Sequence, residues 1–196
     1  VLINLVGNGL KFTAEGGVAV RLAVAGGRPA AIAVADTGVG IPEERLAAVF
    51  ELAAGKAGWG RKLDDNRGLG MAFHFDHGGF VSHVAEVVAD GSRVKVEKVY
   101  SAVDVGPVIN LSGAKNQVEG CVIDALSTAQ LEIIFANGAA EQGNFDNYDL
   151  LRINQSPEVE CHFIQSDNPP SGLGEPPIAP ATPAITNAIF AVTGTR

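Results

Sequence analysis

The sequence predicts an α+β fold in which mixed sheet segments pack against two main helices. Three observations carry that reading. Met71–Phe75, Val81–Val88 and Arg93–Ala102 are apolar runs of strand character, and Asp90-Gly91 between the last two is a strong hairpin signal. Residues 111–128 then place Val118, Val122, Ile123 and Leu126 on one face of a helix. Residues 182–192 do the same with Ile185, Ile189 and Phe190.

Taken in order, residues 1–13 show apolar residues at helical spacing, with Leu2, Leu5, Val6 and Leu10 on one side. Val18–Val24 alternates as a strand, Gly26-Gly27 marks a turn, and Ala31–Ala35 is a second strand. Asp36-Thr37-Gly38-Val39-Gly40-Ile41-Pro42 is a glycine loop, and Glu43–Phe50 a short helix. After the three central strands, Val103–Pro107 closes the meander, and Ser112 or Asn110 can cap the long helix. A hairpin over Leu131–Phe135 and Ala140–Asn144 is expected to turn at Asn137-Gly138. Glu158–Gln165 alternates strictly as a last strand.

The bulk composition excludes several classes of function. The chain has 196 residues, 46% hydrophobic and 18% charged, which argues for a folded core. A net charge of −8 offers no footprint for nucleic acid or anionic lipid. Its apolar runs are broken by Gly, Asp or Asn, and none reaches the ~20 residues that cross a bilayer. Cys121 and Cys161 stand outside any CxxC pair and read as reduced, buried thiols. The chain opens at Val1 inside an apolar pattern and with no basic leader, as a fragment is expected to.

The sharpest local feature is Gly172-Leu173-Gly174-Glu175-Pro176-Pro177, near the start of the last helix. Glycines let backbone approach a bound group, while two prolines fix the chain direction and remove two donors. One carboxylate is thereby held at a defined place, although a solvent-facing turn glutamate is the plainer alternative. Gln117, near the start of the long helix, can donate and accept without adding charge, or simply cap backbone. His74, His77 and His83 invite a zinc site, but strand parity sends 74 and 77 to opposite faces. His162 reads as a partly buried polar residue, Asp64-Asp65 as a solvated loop, and Ser171 lacks a His/Asp arrangement for hydrolysis.

The first stretch resembles the ATP-binding domain of sensor histidine kinases, a partial α/β-sandwich. Asn4-Leu-Val-Gly-Asn8-Gly-Leu-Lys11-Phe-Thr is similar to the asparagine box, in which Asn8 would hold magnesium on the phosphates. Asp36 in DTGVGIP, with Gly38 and Gly40, resembles the site whose aspartate bonds the adenine amino group. Val49-Phe50-Glu51 resembles the phenylalanine box. Arg67-Gly68-Leu69-Gly70 superficially supplies a second glycine box, but strand-like residues follow it where a helix should. The phosphoacceptor helix is also missing upstream, so kinase activity is not expected.

From about Leu52 onward the chain resembles the carboxyl-terminal end of the molybdenum-binding subunit of the xanthine dehydrogenase/aldehyde oxidase family. Within that family it is similar to the isoquinoline 1-oxidoreductase beta branch. Ala57-Gly-Trp-Gly60, KNQVEG at 115–120, NFDNYDLLRINQSPEVE at 144–160, QSDNPP at 165–170 and GLGEPP carry the resemblance in order. It implies hydroxylation of N-heteroaromatics or aldehydes with water-derived oxygen. Glu175 would be the carboxylate base, and Gln117 and Gly174 would meet the cofactor, a molybdopterin cytosine dinucleotide. A partner subunit with two [2Fe–2S] clusters would take the electrons. Arg152 would pair with a carboxylate, and Tyr148 would be structural or face apolar surroundings. The expected division is 1–51, an ATPase fragment using Mg-ATP, and 52–196, the molybdopterin-domain portion, joined abruptly as in a chimera. Such an isolated piece is expected to lack turnover. An ATP-binding signalling module and a non-catalytic interaction protein remain the other readings. The compartment, bacterial cytoplasm or periplasm, is not legible.

Overall fold

The computed structural model describes residues 6, 10, 13, 15–25, 28–38, 40, 43–91 and 93–195. It divides into two compact units, residues 1–42 and 43–196. In the first, β1 (Val18–Ala25) and β2 (Arg28–Asp36) form an antiparallel hairpin pairing Val18 with Asp36 and Leu22 with Ile32. Val6 and Leu10 are helical and Thr13 is not, while the remaining residues of the expected first helix and Gly26-Gly27 lie outside the described residues.

The second unit is a four-stranded mixed sheet with helices on both faces. Helix α1 (Glu43–Ala57) precedes β3 (Arg67–Asp76), β4 (Gly79–Asp90) and β5 (Arg93–Asp104). Helix α2 (Leu111–Ala129), the two-residue strands β6 (Phe135–Ala136) and β7 (Ala139–Ala140), β8 (Glu158–Phe163) and α3 (Ile178–Thr193) follow. The sheet order is β3-β4-β5-β8, antiparallel except for the parallel β5–β8 pair, whose crossover contains α2. The α+β expectation therefore holds: the two main helices are α2 and α3, and the short helix expected at 43–50 is the start of α1.

Strand parity sorts the core into two layers. Phe75, Phe80, Val84 and Ala102 meet Val49, Ala53 and Ala57 of α1 on one face. On the other, Ala85, Val87 and Val99 meet Val122, Ala125 and Leu126 of α2 and Ala181, Ala184, Ile185 and Ala188 of α3. At the edge, Gly68 and Gly70 let α3 lie directly on β3. A Cβ at residue 70 would stand 2.0 Å from the Ala188 amide nitrogen.

Several expected boundaries move. The short helix 43–50 runs on to Ala57, because Ala53 and Ala57 are buried in the same layer as Val49. The β3–β4 turn is His77-Gly78, both at positive φ as a two-residue hairpin turn requires. His77 is thus a turn residue, and the parity argument used to separate it from His74 does not apply. The 131–144 hairpin turns at Asn137-Gly138 as expected, but its strands shrink to two residues each. α3 begins at Ile178 rather than at Thr182, with Pro180 accommodated where the first-turn N–H groups lack helical partners and Pro183 inside the helix.

Candidate functional site

Glu175 sits where three elements converge: the β3–β4 turn, α2 and the entry to α3. The carboxylate is exposed while Pro176 and Pro177 behind it are buried. It borders two clefts, one of about 370 Å³ shared with His74, Asp76, Ile178 and Ala179. The other, of about 270 Å³, is shared with His77, Gly172, Gly174 and Pro176. The backbone of this loop is tied down at several points. Ile178 N donates to Glu175 O at 2.9 Å, starting α3. The His83 ring, wholly buried, donates from Nε2 to Pro177 O at 2.8 Å. The Cys121 thiol of α2 donates to Gly174 O at 3.1 Å.

Gln117 is exposed on α2, well past the Asn110 cap, which itself accepts from Gly113 N at 2.9 Å. The capping reading of Gln117 is thereby overturned, because Asn110 does that work. The Gln117 Nε2 lies 3.4 Å from where a Cβ on residue 174 would stand. The amide and the bare Gly174 backbone are therefore neighbours beside Glu175.

The loop leading to this site is organised by a residue that sequence reasoning missed. Asp104, 3% exposed at the end of β5, accepts from Ser166 Oγ at 2.6 Å, Asn168 Nδ2 at 2.9 Å and Gly106 N at 3.2 Å. Arg45 of α1 completes the set at 3.1 Å, and its other arm reaches Gly78 O at 3.2 Å in the β3–β4 turn. Burial pushes the Asp104 carboxyl up, but Ser166, the Gly106 amide and Arg45 outweigh it and hold it below its ordinary value. One carboxylate thus fixes the 165–170 segment, and Ser171 N follows onto Val105 O at 3.0 Å. The only sequence signal was the polar string Gln165-Ser-Asp-Asn168 beside the glycine loop.

Burial pushes the His83 imidazole down to about 4, the Pro177 carbonyl opposing that shift, so the ring is neutral. Burial, then Asp124, pushes the Cys121 thiol up, and burial raises Cys161 to about 12. Both cysteines are free. His162 Nε2 contacts Glu160 Oε1 at 2.7 Å, and Arg152 lies 3.9 Å from Asp149. Tyr148 is half-buried and lines a shallow cleft with Phe145. Among the described residues no group of three His, Cys, Asp or Glu side chains could hold a metal ion, and no helix is long and apolar enough to cross a membrane. In the first unit Asp36 Oδ1 accepts from Gly38 N at 2.9 Å, and Gly40 adopts φ 68°; Asn8 lies outside the described residues.

Fold and site together place one exposed carboxylate, Glu175, beside the Gln117 amide and the bare Gly174 backbone at the entry to α3. Residues 10–157 match the molybdopterin cofactor-binding domain family, and the chain belongs to it. It is 34% identical to the isoquinoline 1-oxidoreductase subunit beta of Brevundimonas diminuta over 156 residues, 76% of this chain and 20% of that protein. It is 36% identical to the membrane-bound aldehyde dehydrogenase [pyrroloquinoline-quinone] of Gluconacetobacter polyoxogenes over 160 residues, 78% of this chain and 21% of that one. The chain thus spans about a fifth of the length of these relatives. The structure of the Cu,Mo-CO dehydrogenase shares the fold, with TM-score 0.54 and 22% identity over 59% of this chain and 16% of that one. A fourth similarity is of another kind: 44% identity over 54 residues, 26% of this chain and 6% of the relative, to the autoinducer 2 sensor kinase/phosphatase of Vibrio cholerae.

Proposed function

We propose that residues 52–196 are the part of a molybdenum hydroxylase subunit that carries its catalytic base, Glu175. The substrates would be N-heteroaromatics or aldehydes. The observation that carries this reading is the placement of Glu175: an exposed carboxylate between two clefts, on backbone anchored on either side of it. A base must be held to within a fraction of an ångström while staying accessible to the proton it takes.

The residues present fit one edge of the cofactor. Gln117 offers a neutral amide that donates and accepts, and Gly174 leaves bare backbone beside it. Among the described residues no Lys or Arg lines either cleft, so the phosphates of a cytosine dinucleotide would be held by other parts of a full-length subunit. When bound, the cofactor supplies the two-electron oxidation and the transfer of oxygen derived from water. Glu175 accepts a proton at a carboxylate oxygen, Gln117 and Gly174 orient the group, and Asp104 keeps the loop in register. Electrons would leave through a [2Fe–2S] partner subunit. The isolated chain is expected to be inactive; mixing it with molybdenum cofactor, isoquinoline and a dye acceptor should give no oxidation. Measurable turnover contradicts that expectation.

The second reading rests on the 44% identity to a sensor kinase. In it residues 1–51 are an ATPase remnant joined to the molybdopterin-domain portion, with Asn8, Asp36, Gly38 and Gly40 contacting Mg-ATP. Saturable, magnesium-dependent ATP binding that Asp36→Asn weakens supports it; absence of binding leaves a remnant without function. A single long read of source DNA and transcript across codons 40 to 70 tests whether the two parts share one reading frame.

A further inference from the structure

Glu175 is exposed, yet the carbonyls flanking it point inward to side chains from two different elements. Gly174 O meets Cys121 of α2, and Pro177 O meets His83 of β4. Pro176 and Pro177 carry no N–H, so the carbonyls are the handles by which buried groups can grip this stretch. A carbonyl only accepts, so the Nε2 of His83 bears the proton and Nδ1 is bare. Among the described residues that buried Nδ1 has no hydrogen-bond partner, nor has the buried hydroxyl of Ser101, the residue directly paired with His83 across β4 and β5. An unmatched polar atom in a core is costly, and an aliphatic side chain would avoid it. The His83 contact to Pro177 is the return for that cost, and it joins residues 94 positions apart.

We propose that His83 is a positioning residue for the Glu175 carboxylate, its neutral ring holding Pro177 O from below while Cys121 holds Gly174 O from the side. This rests on the reading of Glu175 as the base. Without the His83 donor the entry to α3 loses the contact that sets its height over the sheet, and Glu175 moves with it. A side chain that only fills space would leave the ring tautomer unspecified and would not be rescued by a matched donor.

The test begins with the 196-residue wild-type chain. The long-range nitrogen–proton spectrum of its histidines at pH 7 should show His83 as the pure Nε2–H tautomer. An Nδ1–H ring, or one averaging between tautomers, overturns the proposal. Amide exchange at Ile178 is then followed in His83→Leu and His83→Gln, with Val84 as a core reference. His83→Leu should speed Ile178 relative to Val84 by about tenfold. His83→Gln, which keeps a donor near the same place, should stay within about threefold of wild type. Equal acceleration in both variants, or equal acceleration of Ile178 and Val84, refutes the proposal. If His83→Leu does not fold, the tautomer decides. Glu175→Gln leaves these contacts intact and should not alter Ile178 exchange, so failure of the base reading is separately visible as unchanged turnover in a full-length subunit carrying that variant.

Discussion

Replacing Gly70 by alanine should test how the sheet sets the height of α3, and with it the position of Glu175. The added Cβ would stand 2.0 Å from Ala188 N, 2.3 Å from Ala184 O and 2.6 Å from Asn187 C, all backbone atoms of α3. No rotamer relieves a clash with backbone. Restoring a contact distance of about 3.5 Å requires helix and strand to part by roughly 1.5 Å. That separation opens the layer formed by Ala181, Ala184, Ile185 and Ala188 against Ala85 and Val87. Overpacking typically costs about 1–3 kcal/mol, and this site belongs at the upper end because neither partner can rotate away. For a domain of this size about 3 kcal/mol lowers Tm by roughly 6–12 °C. Urea unfolding followed by far-ultraviolet circular dichroism measures it. Gly120→Ala is the control: residue 120 lies within α2 with nothing inside 4 Å of a new Cβ. It should stabilise by about 0.5–1 kcal/mol through helix propensity. A Gly70→Ala protein within about 0.5 kcal/mol of wild type would refute the close-packing argument.

Three further outcomes are expected. Asp104→Asn should cost about 3 kcal/mol, since a nearly buried charge acceptor loses Arg45, and limited proteolysis should then cut within residues 164–171. Stability should fall as pH drops from about 6.5 towards 4, because the unfolded chain protonates His83 while the folded chain, with its value near 4, does not. The full effect is about 3 kcal/mol, and His83→Gln should flatten that part of the profile measured by urea midpoints; an unchanged slope would contradict it. Asp104 and Glu86, both held below their ordinary values of 3.8 and 4.5, add losses that begin near those values, where the unfolded chain takes up protons first, and are complete once pH has fallen through their folded values. Finally, Cys161, raised to about 12 by burial, should resist a thiol reagent at pH 8 until urea unfolds the chain.

What the sequence made legible was local. Asn137-Gly138 announced its turn because few other pairs take positive φ so readily, whereas of Asp90-Gly91 only Gly91 does, Asp90 being the last residue of β4 and paired with Arg93. Of the two caps the sequence offered for α2, Ser112 and Asn110, Asn110 is the one that forms. The second half of α1 was hidden because Ala53, Ala54, Gly55 and Ala57 carry no large apolar side chain; only packing under Phe80 and Val84 reveals its buried face. Early prolines hid the first turn of α3. At the site, Glu175 stood out as a carboxylate between glycine and proline, whereas its supports did not. Arg45 meets Asp104 across 59 positions and Asn168 meets it across 64, contacts that no local pattern encodes. Gln117 was found through resemblance, since an exposed helical glutamine has no signature of its own.

The most direct test of Glu175 as the base is a segment exchange. Residues 52–196 replace the matching part of a full-length isoquinoline 1-oxidoreductase beta subunit, assembled with its cofactor and partner, and dye-coupled oxidation is compared with and without Glu175→Gln. The account predicts that the variant retains its molybdenum content while kcat falls by about 10²–10⁴-fold. Equal turnover in the two assembled enzymes, at equal cofactor content, would contradict it.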